Sequence, residues 1–281
     1  MNRPESSVPA LGLIAGNGVY PLLLARSARA AGVSRIVAAA FENETDPALT
    51  ALVDEIAWLR VGQLGRLLTF FKAQAVPRAI MAGQIAPKNL FDLRPDFKAL
   101  LLLGRLRERN AESLFGAVAD ELLRAGVELL PATTSLEHLL APVGHIAGPA
   151  LGRRGRLDVA FALQIAKAVS ALDIGQSVLV KNGTVLAVEA FEGTDLTIRR
   201  GGALAGTKGG AVLAKVSKPN QDLRFDVPVI GPRTLETAAE ARVGVIVVEA
   251  GKTLLLENDT LRALAARHRI TLVGETAAGE H

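Results

Sequence analysis

The sequence predicts an α/β protein of two domains, and three observations carry that prediction. Apolar runs alternate with amphipathic stretches from Leu11 to Leu130, the pattern of a parallel sheet flanked by helices. The periodicity lapses in a glycine- and proline-rich stretch over 141–155. Beyond it, Asn182-Gly183 between two apolar runs announces an antiparallel hairpin, so the second sheet is expected to be mixed. The expected boundaries are a first domain over 1–140, a linker over 141–155 and a second domain over 156–281.

Leu11–Ala15 is a short apolar run, followed by GNGVYP, an amphipathic stretch over Leu22–Ala31 and a second apolar run over Arg35–Ala40. Strand, glycine turn, helix and strand open a parallel sheet. Gly16 and Gly18 flank Asn17 and let backbone approach a ligand, and the following helix N-terminus favours a phosphate. The dinucleotide fingerprint needs a third small residue where this chain has Pro21, which argues against a nicotinamide cofactor. The turn is either a nucleotide contact or simply a tight strand–helix connection.

Ile56–Val61 reads as a strand, Gly62–Ala75 as a helix and Ala79–Ala82 as a strand ending in Gly83-Gln84. Gln84, Lys88 and Asn89 then lie at a strand's carboxyl end, where open parallel sheets bind ligands; an ordinary loop is the alternative. Phe97–Leu106 and Glu112–Arg124 read as helices. Arg105, Arg107 and Arg109 between them could meet lipid headgroups, although a solvated helix end is the commoner use of such a patch. Val127–Leu130 is a strand, with hydroxyls from Thr133, Thr134 and Ser135 at its end. Ser135 is expected to cap a short helix through Leu140.

In the second half, Leu157–Leu172 has helical spacing, with Gln164 and Lys167 as polar members that could reach a site. Ser177–Phe191 is the hairpin. Glu192-Gly193-Thr194-Asp195 is an oxygen-rich turn that could help hold Mg²⁺ or cap the next helix through Thr194 or Asp195. Lys208-Gly209-Gly210 is a cationic turn suited to a phosphate, or a loop tip. Val212–Val216 is a strand and Arg233–Ala241 a helix. Val243–Ala250 and Thr253–Glu257 are expected to form a second hairpin across Gly251-Lys252, and the phrase VEA occurs in both hairpins. Asn258 is the expected cap of a helix over Asp259–His268, and Ile270–Val273 is a final strand.

The stretch KVSKPNQDLRFDVPVIGP, Lys215 to Pro232, concentrates the chemistry. Its charges interleave with Val, Phe and Ile, as polar groups do when they project from a buried scaffold. Asp222 and Asp226 are four apart and share a face whether helical or extended. They could hold a hard cation such as Mg²⁺ while Lys215 and Lys218 neutralise an anionic ligand. The alternative is a loop whose charges pair with one another.

Composition narrows the chemistry. The 281 residues contain no cysteine, which excludes a thiol nucleophile, a thiolate metal site and disulfides. Four histidines, among them His138 and His145, form no HxH or HExxH pair, so a histidine-based zinc hydrolase is not expected. Hydrolysis would have to rest on carboxylates, lysines and a hard metal. The net charge is +4, but the charges are scattered, so a nucleic-acid partner is not expected. No run reaches the roughly 18 apolar residues of a membrane span, and no signal-peptide pattern precedes Leu11, so the expected compartment is the cytoplasm.

LDIGQSVLVKNGTVLAVEAFEGTD (Leu172–Asp195) together with the Lys215–Pro232 stretch resembles the UDP-2,3-diacylglucosamine pyrophosphatases of the lipid A pathway. The branch is the one unrelated to the calcineurin-like phosphoesterases. GLIAGNGVYP and MAGQI resemble the same family, and the likeness runs from about Leu11 to Gly274. The resemblance implies a Rossmann-like N-terminal domain and a C-terminal α/β domain, with substrate in the cleft between them. It implies Mg²⁺-dependent hydrolysis of UDP-2,3-diacylglucosamine, with water attacking the α-phosphorus to give UMP and 2,3-diacylglucosamine 1-phosphate. The family's essential carboxylate, the aspartate of RFD, falls on Asp226.

On that reading Asp226 is the metal ligand or water-orienting base. Asp222 is a second candidate in catalysis, and Glu192 and Asp195 are candidate further ligands. Lys208, Lys215 and Lys218 would stabilise the diphosphate. Gly16, Asn17, Gly18, Gln84, Thr133 and Thr134 are candidates for the uridine and ribose, with Gln164, Lys167 and Thr194 lining the site. Peripheral contact with inner-membrane lipids is expected from a two-tailed product, and self-association is left open. The competing readings are a dinucleotide-dependent oxidoreductase and a non-catalytic nucleotide or lipid carrier.

Overall fold

The computed structural model describes residues 10–85, 95–106, 111–219 and 221–276. The chain forms two compact units. One comprises Met1–Leu136 with Asp222–Asp226, the other Glu137–Gln221 with Val227–His281. The chain therefore returns to the first unit for one short segment, which contains both aspartates of the Lys215–Pro232 stretch.

The first unit is a five-stranded parallel sheet. Its strands are β1 (Leu11–Ala15), β2 (Ile36–Phe41), β3 (Glu55–Leu59), β4 (Arg78–Ala82) and β5 (Glu128–Leu129), in the order β3-β2-β1-β4-β5. The near-continuous burial of β1 and β2 is what a parallel strand covered on both faces requires. The helices are α1 (Tyr20–Ala30), α2 (Leu64–Ala73), α3 (Phe97–Arg105) and α4 (Ala111–Arg124). Pro21, which spoils the dinucleotide fingerprint, lies in the first turn of α1, where its missing N–H is no loss. Asp96 caps α3 through the Ala99 nitrogen and also accepts from Gly65 N in α2, tying the two helices together.

The second unit is built on a six-stranded mixed sheet in the order β6-β13-β11-β9-β7-β8. The parallel centre is β9 (Ala211–Lys215), β11 (Val243–Glu249) and β13 (Thr271–Glu275). The hairpin β7 (Ser177–Lys181) and β8 (Thr184–Val188) pairs antiparallel on one side, and β6 (Gly144–Ala147) on the other. Asn182 and Gly183 have φ of 53° and 72°, the left-handed pair that a two-residue hairpin turn requires. Helices α5 (Arg153–Ala171), α6 (Thr194–Leu204), α7 (Pro232–Glu240) and α8 (Asn258–Arg267) complete the unit.

Several local expectations are corrected. The strand run after Gly251-Lys252 does not fold back on β11. Only β12 (Leu254–Leu255) is a strand, and it pairs in parallel with β10 (Val229–Ile230). The stretch expected to be a linker contains β6 and the first turn of α5. Ser135 has φ 66°, not the extended conformation of a cap, and the short 3₁₀ turn is Glu137–Leu139. Gly193, not Thr194 or Asp195, is the N-cap of α6, and Asn258 is the first residue of α8, not its cap.

Candidate functional site

In the first unit the strand order reverses at β1, whose neighbours are β2 and β4. Open α/β sheets bind ligands outside the carboxyl ends of strands at such a point. Here those ends are Gly16-Asn17-Gly18 after β1 and Gly83-Gln84 after β4. They are bridged by Asn17 N donating to Gln84 O at 2.7 Å and Gly16 N donating to Ala82 O at 2.8 Å. A side chain would not fit between them. A Cβ on Gly16 would lie 2.5 Å from Gln84 O, and one on Gly83, at φ 89°, would lie 2.5 Å from Asn17 O. Asn17 Nδ2 donates to Glu44 Oε2 at 2.7 Å. Tyr20, buried in the first turn of α1, donates its hydroxyl to Ala132 O, and burial pushes its ionisation upward. Thr133 and Thr134 form the turn directly after Ala132, closed by Thr134 N to Pro131 O and Leu136 N to Thr133 O.

The Asp222–Asp226 segment belongs to this unit. Leu223 O accepts from Ala132 N at 2.7 Å, and the Phe225 ring lies 5.6 Å from that of Phe115. The segment is one turn closed by Asp226 N donating to Asp222 O at 3.1 Å. The two carboxylates differ in environment. Asp222 is gripped by Arg224 through Nε at 2.9 and 3.1 Å and Nη2 at 2.6 Å, which holds its carboxyl below the usual range. Asp226 is half-buried.

In the second unit the carboxyl edge of the sheet gathers a polar chain. Lys215, the last residue of β9, donates to Val229 O at 3.1 Å and to Thr194 Oγ1 at 3.3 Å. Thr194 donates to Glu189 Oε1 at 2.9 Å and lies 3.2 Å from Ser177 Oγ. One strand over, Glu249 ends β11 almost wholly buried. It accepts from Ser217 N at 2.9 Å, Ser217 Oγ at 2.7 Å, Lys167 Nζ at 3.1 and 3.2 Å and Lys252 Nζ at 3.1 Å. Burial opposes its ionisation, but the Ser217 hydrogen bonds and the two ammonium groups outweigh it and leave the carboxyl below the usual range.

Glu189 and Glu249 are absent from the candidates drawn from the sequence. They are the glutamates of the two VEA phrases, which was the available signal. Lys218, three residues past Lys215 in irregular backbone, pairs with Asp173. Lys208 is exposed in the turn before β9, at the opposite end of the strand from Lys215. Gln164 is exposed on α5, one turn before Lys167. Lys88, Asn89, Arg107 and Arg109 lie outside the described residues.

Two of the expected metal ligands, Glu192 and Asp195, are paired with arginines. Glu192 accepts from Arg200, Thr197 Oγ1 and Ala190 N, and Asp195 pairs with Arg233 at 2.8 Å. Among the described residues no three His, Asp or Glu side chains cluster as a metal cage. Mg²⁺ is commonly held by one or two carboxylates plus substrate phosphates, keeping several waters. Of the candidate carboxylates, Glu192, Asp195 and Asp222 each pair with an arginine, and Asp226 is engaged within the protein as well.

Residues 10–139 match the LpxI N-terminal domain and residues 142–273 the LpxI C-terminal domain. A curated protein of Caulobacter vibrioides, UDP-2,3-diacylglucosamine pyrophosphatase LpxI, is 33% identical over 264 residues, covering 91% of this chain and 93% of that protein. A crystal structure of the biotin carboxylase subunit of pyruvate carboxylase aligns at 16% identity and a TM-score of 0.26, covering 64% of this chain and 35% of that one. That is too weak a likeness to carry an argument. With both of its halves matched in order, this chain belongs to the LpxI family.

Proposed function

We propose that this protein hydrolyses the diphosphate of UDP-2,3-diacylglucosamine in lipid A biosynthesis, giving UMP and 2,3-diacylglucosamine 1-phosphate. The observation that carries the reading is near-full-length identity to a protein named for that activity, at 33% over 91% of the chain. The chemistry available is consistent with it: no thiol, no paired histidines, and carboxylates beside lysines.

In the proposed step a water oxygen bonds to the α-phosphorus and the bond from that phosphorus to the bridging oxygen breaks. The bridging oxygen leaves on the sugar phosphate, and the water proton passes to a carboxylate or to solvent. Asp226 is assigned the water-orienting and metal-holding role, because it is the aspartate of the RFD segment that the family resemblance marks as essential. Mg²⁺ carried in with the diphosphate would offset charge on the phosphate oxygens. Asp222 then acts as a brace for the turn that presents Asp226. Gly16, Asn17 and Gln84 are proposed to meet the nucleoside, since they frame the point where the first sheet reverses.

The test is Asp226→Asn, assayed for UMP release from UDP-2,3-diacylglucosamine. Turnover is expected to fall by about 10²-fold or more, with melting temperature and substrate binding retained. Undiminished turnover would remove Asp226 from the mechanism, and substrate binding without turnover in the unaltered protein would favour the carrier reading.

A further inference from the structure

Helix α3 carries two apolar faces. Ala99 and Leu102 are buried, each 7% exposed, and belong to the first unit's core. On the opposite side Phe97, Leu100 and Leu101 are 77%, 57% and 46% exposed. With Gly104 they occupy positions i, i+3, i+4 and i+7, one continuous outer stripe. A helix apolar all round belongs in an apolar medium, and here the unit covers only the inner face. Nor are these the scattered single apolar residues normal on a surface, because they adjoin one another.

The flanking charges identify the medium. Lys98 and Arg105 lie on the shoulder between the exposed and buried faces, and no acidic residue lies within α3. That is where cations sit when their stems follow an apolar surface and their heads reach a phosphate layer. Of the nearby acids, Asp120 is exposed on α4 and shares a pocket with Arg105. Glu121 is buried and answered by Lys98 and Arg124, and Asp96 is the cap of α3. Among the described residues no helix is long and apolar enough to cross a membrane.

We infer that α3 is a membrane-surface helix. Phe97, Leu100 and Leu101 would enter the headgroup–acyl boundary of an anionic bilayer, and Arg105 would contact its phosphates while Lys98 stays paired with Glu121. The inference is independent of the hydrolase reading, because its readout is binding.

The experiment uses the full chain with vesicles of phosphatidylglycerol and phosphatidylethanolamine, with phosphatidylcholine vesicles for comparison. The unaltered protein is expected to co-sediment with the anionic vesicles and less with the zwitterionic ones. L100E/L101E is expected to lower partitioning about tenfold or more with melting temperature unchanged, since both side chains are exposed. If that variant fails to fold, Leu101→Ser is the substitute and must still lower partitioning. Equal vesicle binding by a folded variant would overturn the inference, as would no binding by the unaltered protein. So would light scattering that shows a dimer which the substitutions dissociate, because the face would then be a self-association surface.

Discussion

Glu249 Oε2 accepts both hydrogen-bond donors of Ser217, the main-chain nitrogen at 2.9 Å and the hydroxyl at 2.7 Å. The end of β11 thereby fixes the exit of β9, where the chain leaves for the turn at Lys218 and then Asp222–Asp226. Lys167 binds the same carboxylate and also Ser217 O at 3.0 Å, so both main-chain polar groups of Ser217 are held.

Removing one partner of a buried pair leaves the others uncompensated. Glu249→Ala is expected to destabilise the protein by about 3–5 kcal/mol, and Ser217→Ala by about 1 kcal/mol, measured by urea unfolding. The carboxyl is held below its ordinary value, so its contribution is fully present above the unfolded value of about 4.3 and is lost as pH falls through the lower folded value. The unaltered protein should therefore lose stability on acidification below about pH 4 more steeply than Glu249→Gln. Parallel acid-unfolding curves would remove this carboxylate from the account.

The crossing of Gly16-Asn17 with Gly83-Gln84 offers a controlled comparison. Gly18 and Gly83 both have left-handed φ, 84° and 89°, but only at Gly83 would a Cβ meet backbone, at 2.5 Å from Asn17 O. Gly83→Ala should cost about 1–3 kcal/mol more than Gly18→Ala in urea unfolding. Equal costs would mean that backbone conformation alone, and not the close approach, governs this bridge.

Most of the first unit was legible in the sequence because its signals are local. Glycine turns after apolar runs marked β1 and β4, and the rule for parallel sheets placed Gln84 at a strand's carboxyl end. The Asn182-Gly183 hairpin was legible for the same reason. The second hairpin failed because a turn-like Gly251-Lys252 between apolar runs looks the same whether the next strand folds back or crosses to another partner. β12 finds β10, and nothing local to Leu254 says so. Glu249 was hidden inside an apolar run, where a glutamate carries no mark of the lysines and serine that surround it. The return of Asp222–Asp226 to the first unit depends on partners such as Phe115 and Ala132, far away in the chain. Spacing gave no warning that Glu192 and Asp195 would be taken by Arg200 and Arg233, whereas the Asp222–Arg224 pair is the alternative stated for that stretch, a loop whose charges pair with one another.

The decisive measurement is hydrolysis of UDP-2,3-diacylglucosamine in ¹⁸O-labelled water, with mass analysis of both products. The account expects one labelled oxygen in UMP and none in the sugar phosphate. Label in the sugar phosphate would place attack on the β-phosphorus, and absence of both products would contradict the proposed activity itself.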